Sequence, residues 1–400
     1  MDIQRDQFER LKEQLSHPYV SILMGPRQVG KSSLMKALEA VCTVAHQKTR
    51  FFNLENPADL LALSGTDATV IQTLLSSGDV VFIDEFQYLP NATKLFKAIV
   101  DHLHPVKIVA SGSSALEMHR HLKESLAGRY RITHIGPLTF NEFQQQPHVS
   151  IEDYMRYGGL PGLVHERTPA GKLALLDQIL QSYLIKDVKS LIKEENIRAF
   201  NQLLYLLADS QGSLISVASL ARETGLSEPT IARHLELLAG TYVGFPLLSY
   251  AQNLGNELKK SKKYFLYDIG IRNSIVKDFS SPATREDKGV LAESFVFYHL
   301  RQQLTANMEL RFWRTRQHEE IDFVLIKDRI PLPIEVKYQL KTPVVPPAIR
   351  KFLAQYPKAS GAVILSKDLH DEISIDGKPV YFLPWDNPRV FEWIMGLMNE

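Results

Sequence analysis

The sequence predicts an α/β protein of several modules: a P-loop core, a helical segment, a winged helix-turn-helix and a C-terminal α/β module. Three observations carry this. A glycine-rich loop stands between a β-like run and a helical run at residues 19–41, a turn glycine separates two short amphipathic helices at 214–238, and an acid-bearing helix precedes two alternating strands within 286–339. The 400 residues, 44% of them hydrophobic, suffice for two or three separate cores. With 46 Lys and Arg against 45 Asp and Glu the net charge is +1, so affinity for a polyanion has to reside in local patches. The single cysteine, Cys42, excludes an internal disulfide and a multi-cysteine zinc site and suits a reducing compartment. The N-terminal stretch mixes both charge signs without an apolar leader, and no run of about 18 apolar residues occurs. The expectation is a cytoplasmic protein with no membrane partner.

YVSILM (19–24) reads as a buried strand, and KSSLMKALEAV (31–41) as a helix with Leu34, Met35, Leu38 and Val41 at helical spacing. The loop between them fits GxxxxGK[ST] at Gly25, Gly30, Lys31 and Ser32. In that motif the loop, here Gly25, Pro26, Arg27, Gln28, Val29 and Gly30, turns its amides around phosphate oxygens. Lys31 meets the outer phosphates, the Ser32 hydroxyl coordinates Mg²⁺, and Ser33 follows at the helix start. The expected ligands are therefore ATP and Mg. In DVVFIDEFQYLP (79–90) the apolar run Val80, Val81, Phe82 and Ile83 delivers Asp84 and Glu85. Asp84 would hold the Mg²⁺ through water, and Glu85 would polarise the attacking water. The run VKIVASGSSALEM (106–118) ends in serines, of which Ser111 or, preferably, Ser113 is placed to sense the γ-phosphate; serines at a strand end also form turns. The segment 124–143 carries Arg129 and Arg131. A cation offered to a neighbouring subunit's nucleotide stabilises transition-state charge, while an exposed surface arginine is the alternative that spacing leaves open.

GPRQVGKSSL, FIDEFQYLP, ASGSSALEM, SLAGR and PLTFNEF, in this order, resemble the AAA+-related ATPases of bacteria and archaea. The resemblance covers an ATPase core at 1–145 and continues through YGGLPGLV (157–164) into a helical lid and linker at 146–205. It implies ATP hydrolysis, Arg129 at an arginine-finger position, a turn from Gly159 to Pro161 near the nucleotide, and self-assembly into a hexameric or similar ring.

A winged helix-turn-helix is expected over 206–280. Ala221, Gly225 and Ile231 have the spacing that lets two helices cross closely, with Ser227 as the N-cap of the second. That helix reads as exposing Glu228, Arg233, His234 and Glu236, a mixed face. Beyond it, Lys259, Lys260, Lys262 and Lys263 precede an aromatic strand. With Arg233 they form a basic wing for sequence-independent contacts to DNA phosphates, or they protect an exposed hairpin edge.

Within 281–400, EDKGVLAESFVFYHLRQQL (286–304) is an amphipathic helix that carries Glu293 among apolar neighbours. Two alternating strands follow, Asp322 on the first and Glu335 and Lys337 on the second. Residues two apart on a strand share a face, so Glu335 and Lys337 stand together and Asp322 can meet them from the adjacent strand. Asp322 and Glu335 would bind metal, and Lys337 would position water for attack on a phosphodiester. The spacing D(x)12ExK after a helical glutamate resembles the PD-(D/E)XK nuclease fold, with Glu293, Asp322, Glu335 and Lys337 at its four motif positions. The reading is an oligomeric ATPase acting on DNA, branched or single-stranded, with a nuclease-like module. Two others stand beside it: a translocating motor with a non-cleaving clamp, and a nucleotide-switched signalling or defence protein whose C-terminal modules bind proteins.

Overall fold

Five short runs become the parallel strands β1 (Val20–Met24), β2 (Thr49–Asn53), β3 (Val80–Asp84), β4 (Lys107–Gly112) and β5 (Tyr130–His134). They pair in the order β2-β3-β4-β1-β5. The inner strands β1, β3 and β4 are buried along their whole length, as continuous apolar runs require, while β2 and β5 are buried only in part and lie at the edges. Because β4 separates β1 from β3, the carboxyl ends of all three lie side by side. The chain crosses β1 to reach β5, and such a reversal of strand order is where open α/β sheets bind ligands.

The computed structural model describes residues 3–101, 106–112, 126, 128–147, 149–182, 197–251, 262–387 and 389–398. The chain divides into two units, one of Met1–Leu138 with Leu160–Gly162 and Leu237–Val243, the other of Thr139–Gly159, Leu163–Glu236 and Gly244–Glu400. Among the described residues no helix is long and apolar enough to cross a membrane.

The stretch from 197 to 266 runs helix Ile197–Asp209, β6 (Leu214–Ile215), helix Val217–Thr224, helix Glu228–Gly240, β7 (Gly244–Leu247) and β8 (Lys262–Leu266). Its three strands form an antiparallel sheet in the order β6-β8-β7. Gly225 ends the first of the two short helices in the left-handed region, φ 73°, and the Ser227 hydroxyl accepts from the Thr230 amide at the start of the next.

The last part of the chain runs helix Lys288–Gln303, β9 (Met308–Arg314), β10 (Glu320–Lys327), β11 (Ile330–Val336), helix Pro347–Gln355, β12 (Ala362–Ser366), β13 (Asp371–Ile375) and β14 (Lys378–Pro384). The sheet order is β13-β14-β12-β11-β10-β9, with β9, β10 and β11 antiparallel and β12 parallel to β11. Asp328 and Arg329, φ 50° and 68°, close the β10–β11 hairpin with the two positive φ angles of a tight turn. Pairing of β10 with β9 slips by one residue between Ile321 and Val324. This β-bulge brings both of those residues into one apolar core with Phe352 and Ile364, so strict alternation stops at Asp322.

Helix Ile151–Tyr157 and helix Ile269–Val276 meet through glycine. A Cβ on Gly270 would stand 1.8 Å from the Tyr157 carbonyl oxygen, and one on Gly158, φ 83°, 2.1 Å from Asp268 Oδ1. Asp268 caps the second helix through the Ile271 amide at 3.1 Å and accepts from Gly159 N at 2.8 Å. Gly270→Ala is expected to destabilise the protein by about 2–4 kcal/mol in chemical denaturation, since backbone must move. A change under about 0.5 kcal/mol would show that the two helices separate freely.

Candidate functional site

The phosphate loop is shaped by its two glycines. Ile135 N donates to Met24 O at 2.8 Å, which draws the next residue so close that a Cβ on Gly25 would lie 2.0 Å from Ile135 O. Gly30 adopts φ 89° and turns the chain into helix Lys31–Val44. The buried Lys31 ammonium donates to Gly25 O at 3.0 Å and Pro26 O at 2.7 Å. Burial lowers its pKa, against the pull of Glu85 and Asp84. Pro161 also borders the loop, its Cγ 3.6 Å from the place a Cβ on Gly30 would take.

Asp84 ends β3 and is buried. The pairing of Leu23 with Ser111 and of Ile83 with Ala110 sets Ser111 between the loop strand and the acid. Its hydroxyl donates to Asp84 Oδ1 and accepts from the Glu85 amide at 3.2 Å. Glu85 itself has φ 56°, a conformation that costs a non-glycine residue about 1–3 kcal/mol and is characteristic of functional sites. Gln87 Nε2 donates to its carboxylate. The oxygen donors of Ser32 and Asp84 suit a hard cation such as Mg²⁺. The favoured serine, Ser113, lies outside the described residues; Ser111, the second choice, is the one on both acids. Pattern reading also passed over Arg5 and Phe8, which line a cleft of about 290 Å³ with Ile3, Gly30, Ser33 and Leu34. Arg5 pins the loop by donating to Val29 O at 2.7 Å and Gly136 O at 2.8 Å.

Arg129 precedes β5, and its carbonyl accepts from Val20 N at the start of β1. The loop follows the other end of β1, about 15 Å away at ~3.3 Å per residue. Arg129 Nε donates to Asp101 Oδ1. This geometry removes Arg129 from the loop of its own chain.

The C-terminal motif residues converge. Val336 N donates to Asp322 Oδ2 at 2.8 Å, and Lys337 Nζ donates to Glu335 Oε1 at 2.6 Å. Glu335 Oε2 is buried without a hydrogen-bond partner. Glu293 joins them from helix Lys288–Gln303. Burial, then the charge of Asp322, pushes the pKa of Glu293 up to about 8, and the same two causes push Glu335 up to about 7. Asp322 is raised by burial against the pull of Lys263 and Lys337. Burial opposes the charge of Lys337, but Glu335 foremost outweighs it and raises its pKa. Two buried carboxylates, one with an orphaned oxygen, fit a divalent cation whose shell water completes. Among the described residues no group of three or more His, Cys, Asp or Glu side chains converges as a metal cage.

The expected basic wing is corrected at one position and relocated in meaning. Lys263 is 1% exposed, with Nζ 2.6 Å from Glu320 Oε1 and 3.9 Å from Glu293 Oε2. It is a buried ion-pair partner and offers no charge to an external phosphate. The reason lies in two periodicities: Lys263 and Phe265 share a strand face, Glu293 and Phe297 a helix face, and Phe265 stacks on Phe297 at 4.1 Å. The aromatic pair sets the lysine against the acid. Lys262 and Arg233 are exposed, Lys259 and Lys260 lie outside the described residues, and His234, expected on the exposed face, is buried against Phe200.

Residues 17–144 match the family described as AAA domain, and residues 149–282 and 288–385 match two domains of unknown function, DUF8612 and DUF4143. An uncharacterised protein of Mycobacterium tuberculosis is 26% identical over 366 residues, which cover 90% of this chain and 79% of that one. One of Haemophilus influenzae is 24% identical over 344 residues, covering 80% and 83%. Among solved structures, the replication initiator DnaA bound to AMPPCP and single-stranded DNA aligns with a TM-score of 0.34 at 14% identity, covering 60% of this chain and 89% of that one. A DNA replication initiation factor aligns at 0.28 and 15%, covering 50% of this chain and 65% of its own. The match over 17–144 supports an AAA-type P-loop ATPase in that segment.

A carboxyl whose pKa is raised by folding binds more protons when folded, so stability falls as pH rises from its unfolded value to its folded one. For Glu293 that window runs from its ordinary value of 4.5 to about 8. The denaturation midpoint is expected to fall between pH 5 and pH 8, with a shallower slope in Glu293→Gln. Equal slopes in urea titrations of the two proteins would contradict the assigned environment.

Proposed function

We propose that the chain is an ATP hydrolase that acts on DNA, and that its C-terminal module engages and cleaves phosphodiesters. The observation that carries the DNA half of this reading is the convergence of Glu293, Asp322, Glu335 and Lys337 on one hairpin and one helix. The ATP half rests on the meeting of Lys31, Asp84, Glu85 and Ser111 at the carboxyl ends of β1, β3 and β4.

At the first site Lys31 binds the outer phosphates, Ser32 and Asp84 would hold Mg²⁺, and the cleft beside Arg5 and Phe8 takes the base. The Glu85 carboxylate accepts the proton of the attacking water, and Ser111 fixes the two acids relative to each other. Arg129, at the opposite end of β1 from its own loop, serves the nucleotide of a neighbouring copy, which calls for a hexameric or similar ring. At the second site Asp322 and Glu335 would hold Mg²⁺; a bound divalent cation supplies charge neutralisation at the scissile phosphate. Lys337 orients the attacking water and is kept protonated by Glu335. Lys262, Lys259, Lys260 and Arg233 contact phosphates without reading bases. A cytoplasmic setting suits the lone Cys42.

ATP turnover of wild type and Glu85→Gln, with and without single-stranded, duplex and four-way-junction DNA, tests the proposal when the same mixtures are run on a denaturing gel. DNA is expected to stimulate turnover, and Glu85→Gln to lower it by ~10²-fold or more, the range for loss of a general base. Lys337→Ala should abolish nicking while leaving turnover intact. Intact strands with DNA-stimulated turnover would select the clamp. Turnover indifferent to every DNA, with intact strands, would overturn the proposal in favour of a protein-sensing switch.

A further inference from the structure

The C-terminal cluster holds more acid than its motif requires. Besides Glu293, Asp322 and Glu335 it contains Glu320, on the same strand as Asp322 and two residues before it. Glu320 is held from both sides: Oε1 by Lys263 at 2.6 Å and Oε2 by Arg314 at 3.0 Å. The cluster therefore has two halves. Glu335 and Asp322 form one, beside Lys337, with a buried and unpartnered Glu335 oxygen. Glu293 and Glu320 form the other, with the Lys263 ammonium between them.

Lys263 comes from β8, in a different sheet from Asp322 and Glu335. Burial works against its charge, but Asp322, Glu293 and Glu320 outweigh this and hold its pKa above the usual lysine value. A fully buried ammonium that touches two carboxylates does the electrostatic work of a bound cation in the same place. Its surroundings are tight as well. Gly212, φ 76°, lies so close that a Cβ there would stand 3.1 Å from Glu293 Oε2, and Gln211 beside it donates to Ser294 Oγ at 2.7 Å.

We infer that Lys263 is a built-in substitute for a second divalent cation, so that the C-terminal site takes a single metal ion, at Asp322 and Glu335. The inference rests on the reading of that site as a divalent-cation site. Lys263 acts on the reacting groups through Glu293 and Glu320 and is a positioning residue. Removing its charge while keeping most of its stem leaves the carboxyl groups of Glu293 and Glu320 with no cation between them, a place that a second ion fills.

The test is the number of Mn²⁺ ions bound per chain in the absence of nucleotide, counted from free Mn²⁺ by electron paramagnetic resonance. The full chain is used with Asp84→Asn, which silences the other candidate cation site. That protein is expected to bind one Mn²⁺, and adding Asp322→Asn to bind none. Adding Lys263→Met should raise the count to two, and Lys263→Arg should keep it at one. Because Lys263→Met leaves buried acids unpaired and can impair folding, Lys263→Met with Glu320→Gln provides a charge-balanced control, expected to bind one ion. One ion of unchanged affinity in folded Lys263→Met, or two in the balanced double variant, overturns the inference while the metal site stands. Zero ions with Lys263 intact overturns the metal site and the inference together.

Discussion

Carboxylates are costly to bury and more so in company, and the C-terminal module buries Asp322 and Glu335 with Glu293 and Glu320 half-buried in the same cluster. The Lys263 ammonium makes that arrangement tenable. It joins β8, β10 and helix Lys288–Gln303 through contacts to Glu320 and Glu293, and breaking such a buried set from one side typically costs about 3–5 kcal/mol. In the hairpin of β10 and β11, Lys263 and Lys337 both favour the charged form of Asp322, and Lys337 pairs with Glu335. A strand of the small antiparallel sheet is thus an integral part of the acidic site.

The phosphate loop answers to a different constraint, one of backbone geometry. Parallel strands in the order β2-β3-β4-β1-β5 align the ends of β1, β4 and β3. Ser111 then falls between the lysine loop and the two acids with no long side chain needed to span the gap. The left-handed Glu85 is tolerable because its amide is fixed by Ser111 and its carboxylate by Gln87. One compact hydroxyl holds both acids in register.

Much of this was legible from residue order. The strands β1, β3 and β4 follow from apolar runs, the loop from its two glycines, and the β10–β11 hairpin with its acids from alternation and spacing. What escaped was whatever depends on contacts between distant segments. Lys263 looked like a member of a basic run, since the stacking of Phe265 on Phe297 that sets it beside Glu293 has no local signature. Arg5 sits in no motif, yet the Val29 carbonyl of the loop and the Gly136 carbonyl after β5 both meet it. The glycines at 158 and 270 pass for ordinary turn and helix residues until the approach of the Tyr157 carbonyl and Asp268 is known. The bulge at Asp322 interrupts an alternation that a sequence pattern takes as continuous.

The proposal that an ATPase site at Lys31 and Asp84 serves a DNA-acting chain implies that nucleotide binding and DNA binding are linked. Linkage requires that a nucleotide coupled to DNA binding alter DNA affinity, and that DNA alter nucleotide affinity by the same factor. The direct measurement is the anisotropy of a fluorescent four-way junction titrated with Glu85→Gln, in which loss of the general base is expected to keep added ATP from being turned over, with and without ATP, alongside Lys31→Ala. The account predicts that ATP changes the affinity of Glu85→Gln by about tenfold or more, a coupling within the usual range, and leaves Lys31→Ala unmoved. Equal affinities in every state, or no binding at all, would contradict it.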